Sequence, residues 1–313
     1  MSVAAGAPVT AVAFGSKASG IYVAAGNKLV RYDIASAKST GKLDMPGKVV
    51  AVATDPSQSI GFAALQAPAE LVTFSLRPLA IKRVQNLNGG TPSALLYAPA
   101  AHAVVVESRA ASTLTGIEIT GGQRIRMLHL TGSLGQMASN ARGTLYVDNS
   151  SHGAIDAVDI ASMANLGAIP VRGCKAPTGL AMDQVGRRLF VSCRDGMRSI
   201  VDADLGFTFE ELPSSARGAG EMVFSFHPFG PKGPKGLAVS VGSNGRVAFI
   251  EMASFVKYRA DGNLTLPGAC EAMAFDPNTH QLWLALEHGA SAPAATGTRV
   301  ELWTLAPTVG TSP

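Results

Sequence analysis

The sequence predicts an all-β fold, a seven-bladed β-propeller of four-stranded antiparallel blades whose ring is closed by the N-terminal strand. Three observations carry this. First, a phrase of apolar or aromatic residues followed by small or β-branched ones occurs seven times. The copies are Ile21-Tyr22-Val23, Gly61-Phe62-Ala63, Ala103-Val104-Val105, Leu145-Tyr146-Val147, Leu189-Phe190-Val191, Leu237-Ala238-Val239 and Leu282-Trp283-Leu284. Second, their middle residues are separated by 40, 42, 42, 44, 48 and 45 positions. A strand-bearing repeat of that period builds small sheets around a common axis. Third, each phrase lies among other apolar runs punctuated by Gly, Pro, Asp and Asn, the pattern of strands joined by tight turns. The whole of residues 1–313 is assigned to one propeller domain.

Each repeat divides into four strands. The first runs to an Asp turn, as in Val50 to Asp55-Pro56, Thr178 to Asp183, and Glu271 to Asp276-Pro277. The recurring phrase is the second strand. The third closes on Asp-Ile or a relative, as in Leu29 to Asp33-Ile34, Ile155 to Asp159-Ile160 and Ser199 to Asp204-Leu205. A fourth, weaker strand follows, as in Gly41 to Met45 and Leu166 to Val171. The seventh repeat stops after its third strand, Arg299 to Leu305. Ser2-Val3-Ala4-Ala5 is spare and is expected to supply the missing outer strand, because an open ring would expose strand edges. The sixth repeat carries an insertion, residues 226–236, in place of a tight turn.

Antiparallel order sorts the loops onto two faces. The approach to each first strand and each second-to-third loop lie on one rim, here called the top. The first-to-second and third-to-fourth turns lie on the bottom. First strands line the channel.

Composition narrows the function classes. Hydrophobic residues make up 47% and charged residues 15%, so a large core is available and disorder is not indicated. The net charge of +4 is mildly basic. Lys/Arg blocks with interleaved aromatics are missing, which argues against a nucleic-acid partner. No apolar run approaches the ~18 residues of a membrane span. The N-terminal residues have no basic region followed by an apolar stretch, so any export signal is taken to have been removed.

Candidate functional residues gather on the top. Glu221 and Glu271 occupy nearly the same repeat position in adjacent blades, at the channel mouth. Paired carboxylates can hold a divalent cation or shift one another's pKa, and two solvated rim residues are the plainer alternative. The loops after the second strands add Glu107 and Arg109, Asp148, Asn149 and His152, Arg194 and Asp195, Asn244, and Glu287 and His288 as a ligand-binding rim. The bottom offers Lys17, Arg142, Arg187, Arg188, Lys232 and Lys235, a diffuse basic ring explained by turn chemistry or by an acidic partner. Cys174 and Cys193 reach the top rim on neighbouring strands, where a disulfide and two ordinary buried thiols are both open. Cys270 has no evident partner. The six histidines form no metal-binding motif, no Gly-x-Ser-x-Gly elbow is present, and Gly89-Gly90 and Gly121-Gly122 are turns rather than phosphate loops.

The stretch from Gly173 to Asp183 with Gly186 to Arg194, together with Ser243-Asn244-Gly245 and Ala272 to His280, resembles the YVTN-repeat propellers, a bacterial surface-layer-like group. The nearest approach to the Tyr-Val-Thr-Asn phrase is Leu145-Tyr146-Val147-Asp148-Asn149. The resemblance covers the C-terminal half well and the N-terminal half only through the repeat. It implies export to the periplasm or outside the cell, and favours the Cys174–Cys193 bridge, which suits an oxidising compartment. It also implies a non-catalytic binding or scaffold role, which the loop phase places on the top face; the expected partner is a protein or a small ligand, and the chain is expected to be a monomer without a cofactor. Two alternatives stand beside it. One is a lactonase- or lyase-type enzyme using a divalent cation at the channel mouth, with Glu221, Glu271, Glu287 and His288. The other, which the resemblance alone implies, is an accessory protein of a periplasmic quinoprotein dehydrogenase system.

Overall fold

A computed structural model of the chain describes residues 2–4, 7–15, 20–55, 57, 59–120, 124–218, 220–227, 235–277, 279–287 and 299–305, with backbone alone at 2–4, 261–263, 287 and 299–305. Seven four-stranded antiparallel sheets stand around an axis, six in simple sequential order from channel to rim and the seventh completed at its rim by the N-terminal strand. Blade 1 contains Val9–Phe14, Gly20–Ala25, Lys28–Asp33 and Ser39–Asp44; blade 2 contains Lys48–Asp55, Ile60–Gln66, Glu70–Leu76 and Leu79–Asn86. Blade 3 contains Ala94–Ala98, Ala103–Ser108, Thr113–Glu118 and Ile125–His129; blade 4 contains Leu134–Ser139, Thr144–Asn149, Ala154–Asp159 and Ala164–Pro170. Blade 5 contains Pro177–Asp183, Arg188–Cys193, Met197–Asp202 and Phe207–Pro213; blade 6 contains Met222–Ser225, Gly236–Val241, Arg246–Ser254 and Lys257–Thr265. Blade 7 takes Ala269–Phe275, Leu282–Glu287 and Arg299–Leu305, and its outer strand is Ser2–Ala4. The register Ser2↔Glu301, Val3↔Val300, Ala4↔Arg299 closes the ring as the spare N-terminal strand suggested.

The recurring phrase has a packing reason. Its middle residues, Tyr22, Phe62, Val104, Tyr146, Phe190, Ala238 and Trp283, are all buried. Each of the seven apolar clusters joins one pair of adjacent blades. Trp283 of blade 7, for example, packs with Phe14, Ile21 and Val23 of blade 1, and Phe190 of blade 5 with Ala238, Ile250 and Met252 of blade 6. The period therefore marks contacts between sheets. Two of the tyrosines also bond across the gap: Tyr22 Oη donates to the Leu76 carbonyl in blade 2 and Tyr146 Oη to the Ala203 carbonyl beside blade 5, each at 3.3 Å. A buried phenol needs such a partner. Tyr146→Phe should lower the unfolding free energy by about 1 kcal/mol in urea titration, because one buried carbonyl loses its donor; an unchanged midpoint would contradict this.

Gly61 fills a position where other blades carry Ile, Ala or Leu. A Cβ there would stand 2.3 Å from the Phe74 ring, so the aromatic in the next strand of the blade requires glycine.

The aspartates that end strands hold the bottom turns. Asp33 Oδ1 accepts from Ser36 N–H (2.8 Å) and Oγ–H (2.7 Å), and Asp159 repeats this with Ser162 (2.7 and 2.5 Å). These bonds hold both carboxyls below the usual range. Asp55 and Asp183 tie the first-to-second turns through the N–H groups of Ser57 and Val185. The bottom arginines belong to the same turn chemistry: Arg188 pairs with Asp202 (2.7 Å) and Arg187 with Asp204. Lys17 and Lys232 of the expected basic ring lie outside the described residues. His102 and His280 sit at left-handed positions of equivalent bottom turns, φ 45° and 56°.

Candidate functional site

In five blades the pairing of the first and second strands slips by one residue near the top. The register steps from Val9 to Ala11, Val49 to Ala51, Leu134 to Met137, Pro177 to Gly179 and Cys270 to Ala272. Such a bulge leaves residues unpaired and re-aims a side chain. The unpaired residues are Thr10, Val50, Gly135 with Gln136, Thr178 and Glu271. All but Gly135 line one cavity of about 670 Å³ at the top of the channel, with Glu221 just ahead of the short first strand of blade 6.

The walls of this cavity differ. Blades 1 and 2 present Val12, Val50 and Val52, and Leu95 and Met137 continue the apolar lining. Glu221 and Glu271 stand on blades 6 and 7. Arg109 enters from blade 3, which in a ring of seven lies opposite blades 6 and 7. Its side chain is 53% exposed, and Nη2 sits 3.3 Å from Glu107 Oε2. Ser93 steadies this pair, donating from Oγ to Glu107 Oε2 (3.2 Å) and accepting from the Arg109 N–H (3.0 Å).

Glu221 is exposed to water in the channel, but the crowded blades around it strip its carboxyl of part of its bulk solvent. That desolvation pushes its carboxyl up to about 7; the Met273 N–H and the distant Arg109 charge oppose the shift, and Glu271 adds to it. Neighbouring Cys270 also lines the cavity, and burial, with Glu221 and Glu271, pushes its thiol up to about 12. A thiol of that pKa stays protonated and is a poor nucleophile.

Gln136 is a residue that sequence reasoning missed. Its side chain reaches from blade 4 to blades 5 and 6. Oε1 accepts from the N–H groups of Leu180 (2.9 Å) and Met222 (2.8 Å), and Nε2 donates to the Met222 carbonyl (2.8 Å). It thus satisfies backbone at the start of the first strand of blade 6 and fixes the chain beside Glu221. A single long amide among apolar residues on a channel strand is the signal that could have found it.

The structure rearranges the expected rim. Glu107, Asp148 and Asn149 are buried strand residues instead of exposed loop tips. The second strands of blades 3 and 4 run a few residues further than the phrase suggests, to Ser108 and Asn149. Desolvation raises the Glu107 carboxyl. Asp148, whose Oδ2 accepts from Gln136 N–H at 2.9 Å, is pushed up to about 8, chiefly by burial and further by Glu107. Asn149 bonds the Thr131 carbonyl (2.7 Å) and Asp156 (2.8 Å). Its role is to hold the strand end. His152, Arg194, Asp195 and Asn244 are exposed on the top loops and do not line the cavity. Asn244 is engaged with Ser215 and Arg217. The Glu287 side chain and all of His288 lie outside the described residues. Arg109, Glu221 and Glu271 are therefore the expected residues that the fold brings together. Among the described residues, no three His, Cys, Asp or Glu side chains converge as a metal-binding group.

Cys174 and Cys193 are joined, with Cα atoms 5.5 Å apart and both side chains buried. Arg198 beneath them is a buried cation with carbonyl and hydroxyl partners: Ser240 Oγ at 2.7 Å and the Ala216 carbonyl at 2.8 Å. Burial pulls it down to about 10. Thiol titration of unfolded, unreduced protein should find one thiol per chain, Cys270; three would contradict the bridge.

No known family profile matches the sequence, and no curated protein sequence matches it. Solved structures do match in shape. A chain of the mitotic checkpoint complex superposes with a TM-score of 0.76 at 11% identity, covering 97% of this chain and 91% of that one. The WD40 repeats of RRP9 give 0.76 at 9% identity, covering 97% of both chains. The chain shares the fold of the WD40 propellers. The U3-55K structure adds a third match, TM-score 0.72 at 9% identity, covering 96% and 97%. At these identities the likeness speaks to the fold alone. Among the described residues, no helix is long and apolar enough to cross a membrane.

Proposed function

We propose that this protein is a non-catalytic binding or scaffold propeller that works through the top of its ring. The carrying observation is the repeated bulge, which turns one residue per blade into a cavity of about 670 Å³ in five of the seven blades. A packing ring needs no such device, and pockets of this size are where small molecules and chain ends bind. Two of the similar structures are described as a complex and as WD40 repeats, and propellers of this shape serve as platforms on which other proteins assemble. The buried Cys174–Cys193 bridge supports export to the periplasm or beyond, in keeping with the YVTN-like resemblance. An accessory role beside a periplasmic dehydrogenase is one form such a partner could take.

The test compares top with bottom. Native mass spectrometry of protein isolated from its own cells, followed by the same measurement on Arg109→Gln and Arg142→Ala proteins, should show a bound species lost only with Arg109→Gln. Loss with Arg142→Ala alone would overturn the top-face assignment. Cell fractionation tests export: the oxidised protein belongs outside the cytoplasm, and a cytoplasmic protein with three thiols would refute it.

A second reading is favoured by Glu221, whose carboxyl is poised near neutrality as an acid–base group requires. A lactonase- or lyase-type enzyme would lose its turnover in Glu221→Gln. Binding without turnover across lactone substrates would leave the scaffold reading in place.

A further inference from the structure

The mouth of the channel is electrically divided. Arg109 stands on blade 3, while Glu221 and Glu271 stand on the two blades opposite, and their charges are close enough to act on one another. The same cavity is lined by valine, leucine and methionine, with Thr10, Ser93, Thr178 and Ser243 among them. Arg109 lines the cavity, uses Nη2 on Glu107 and leaves its side chain half exposed. Glu107 is fully buried, and its Oε1 has no hydrogen-bond partner. Oε2 accepts from both Ser93 and Arg109, so the buried carboxyl holds Arg109 at the mouth through one of its nitrogens.

Resting on the top-face reading, we infer that this mouth binds a zwitterion whose ammonium and carboxylate are separated by an apolar body, of which a short apolar peptide with free termini is the simplest. The ammonium would sit against Glu221 and Glu271, the carboxylate on Arg109, and the body along Val12, Val50, Val52 and Leu95. The separation follows from the placement of opposite charges on opposite walls: an amine and acid on one carbon would satisfy one wall and leave the other unpaired. A peptide gains about 3.3–3.6 Å per residue, so a few residues suffice to cross such a mouth. A guanidinium suits the carboxylate because its planar fork can bind both oxygens. Among the described residues the two carboxylates have only the protonated Cys270 thiol beside them and form no metal-binding group; this suits an ammonium better than a divalent cation, which seeks six or more oxygens. Gln136, held by three bonds to backbone, supplies a fixed wall.

Charged groups facing Glu221 set the pH dependence. They are Arg109 across the mouth and Glu271 on the neighbouring blade; the Cys270 thiol beside them stays protonated and uncharged. Glu221 must be ionised to hold an ammonium, so affinity should rise as pH passes upward through about 7. It should fall again as the peptide amine loses its proton near pH ~8.

Isothermal titration with trialanine, N-acetyl-trialanine and trialanine amide tests this on the full chain. Trialanine should bind, and each capped form should bind at least ~10-fold more weakly, the loss of one charge-assisted contact. In Arg109→Gln the preference for a free carboxylate should vanish while that for a free amine persists. Glu221→Gln combined with Glu271→Gln should do the reverse. Thermal unfolding of each variant confirms that it folds. Absence of trialanine binding, or binding indifferent to both caps, overturns the zwitterion. Should the naturally bound species depend on Arg109 in that case, the top-face reading survives it.

Discussion

Phe190→Ala should lower the unfolding free energy by about 3–5 kcal/mol, the usual cost of emptying a core aromatic position. Phe190 is fully buried and is the copy of the recurring phrase with the most aromatic neighbours. Its ring stacks on Phe224 of the next blade at 4.8 Å between centroids and meets Tyr258 edge-on at 5.8 Å. Removing it opens a void between blades 5 and 6, where Ala238, Ile250 and Met252 are held by strand pairing and cannot close in. Each blade packs its apolar core against its two neighbours, with the Gln136 side chain reaching one blade further, so a weak interface weakens the closed ring as a whole. Urea unfolding provides the number. A change below about 1 kcal/mol would show that the phrase does not mark the joints between blades.

Asp148→Asn should stabilise the protein, by on the order of a few kcal/mol at pH 8.5 and by progressively less as the pH is lowered. The folded carboxyl is pushed up to about 8, against 3.8 as its ordinary value. Between those two values the folded state holds a proton that the unfolded chain releases. Stability therefore falls as pH rises through this window; the contribution is intact below 3.8 and gone above 8. Asparagine is neutral throughout, and its side-chain oxygen can still accept the Gln136 N–H that Asp148 Oδ2 accepts at 2.9 Å. Thermal melts at pH 5 and 8.5 should show a larger gain at the higher pH. The opposite order, or a loss at both, would mean that Asp148 is ionised in the fold. Asp33 and Asp159 run the other way. Their carboxyls are lowered by serine bonds in the bottom turns, so what they add is present above the unfolded pKa and lost as pH falls through the folded one.

The ring was legible in the sequence because a propeller repeats the same physical demand seven times. Each blade must fill the gap to the next with a large side chain, and Tyr22, Phe62, Tyr146, Phe190 and Trp283 record that demand. The N-terminal strand was legible for a related reason: six blades had four strands and the seventh had three. The site was legible only in part. Phase alone put Glu221, Glu271 and Arg109 at the top, since loops inherit their face from strand order. The bulges were hidden, because a bulge is a property of pairing between two strands and leaves no mark in either one. Without them, Thr10, Gln136 and Thr178 read as ordinary strand residues. Glu107 and Asp148 misled in the opposite direction. Charged residues suggest an exposed loop, whereas here burial and a guanidinium or backbone N–H partner hold them inside the strand ends.

The channel mouth is best tested by following the Glu221 carboxyl itself. In protein labelled with carbon-13 at the glutamate carboxyls, with Glu221→Gln supplying the assignment, its resonance should titrate with a midpoint near 7. Addition of trialanine should bring that midpoint down, because a bound ammonium favours the ionised form. A midpoint near the ordinary glutamate value of 4.5, unmoved by the peptide, would contradict both the desolvated mouth and its use as a binding site.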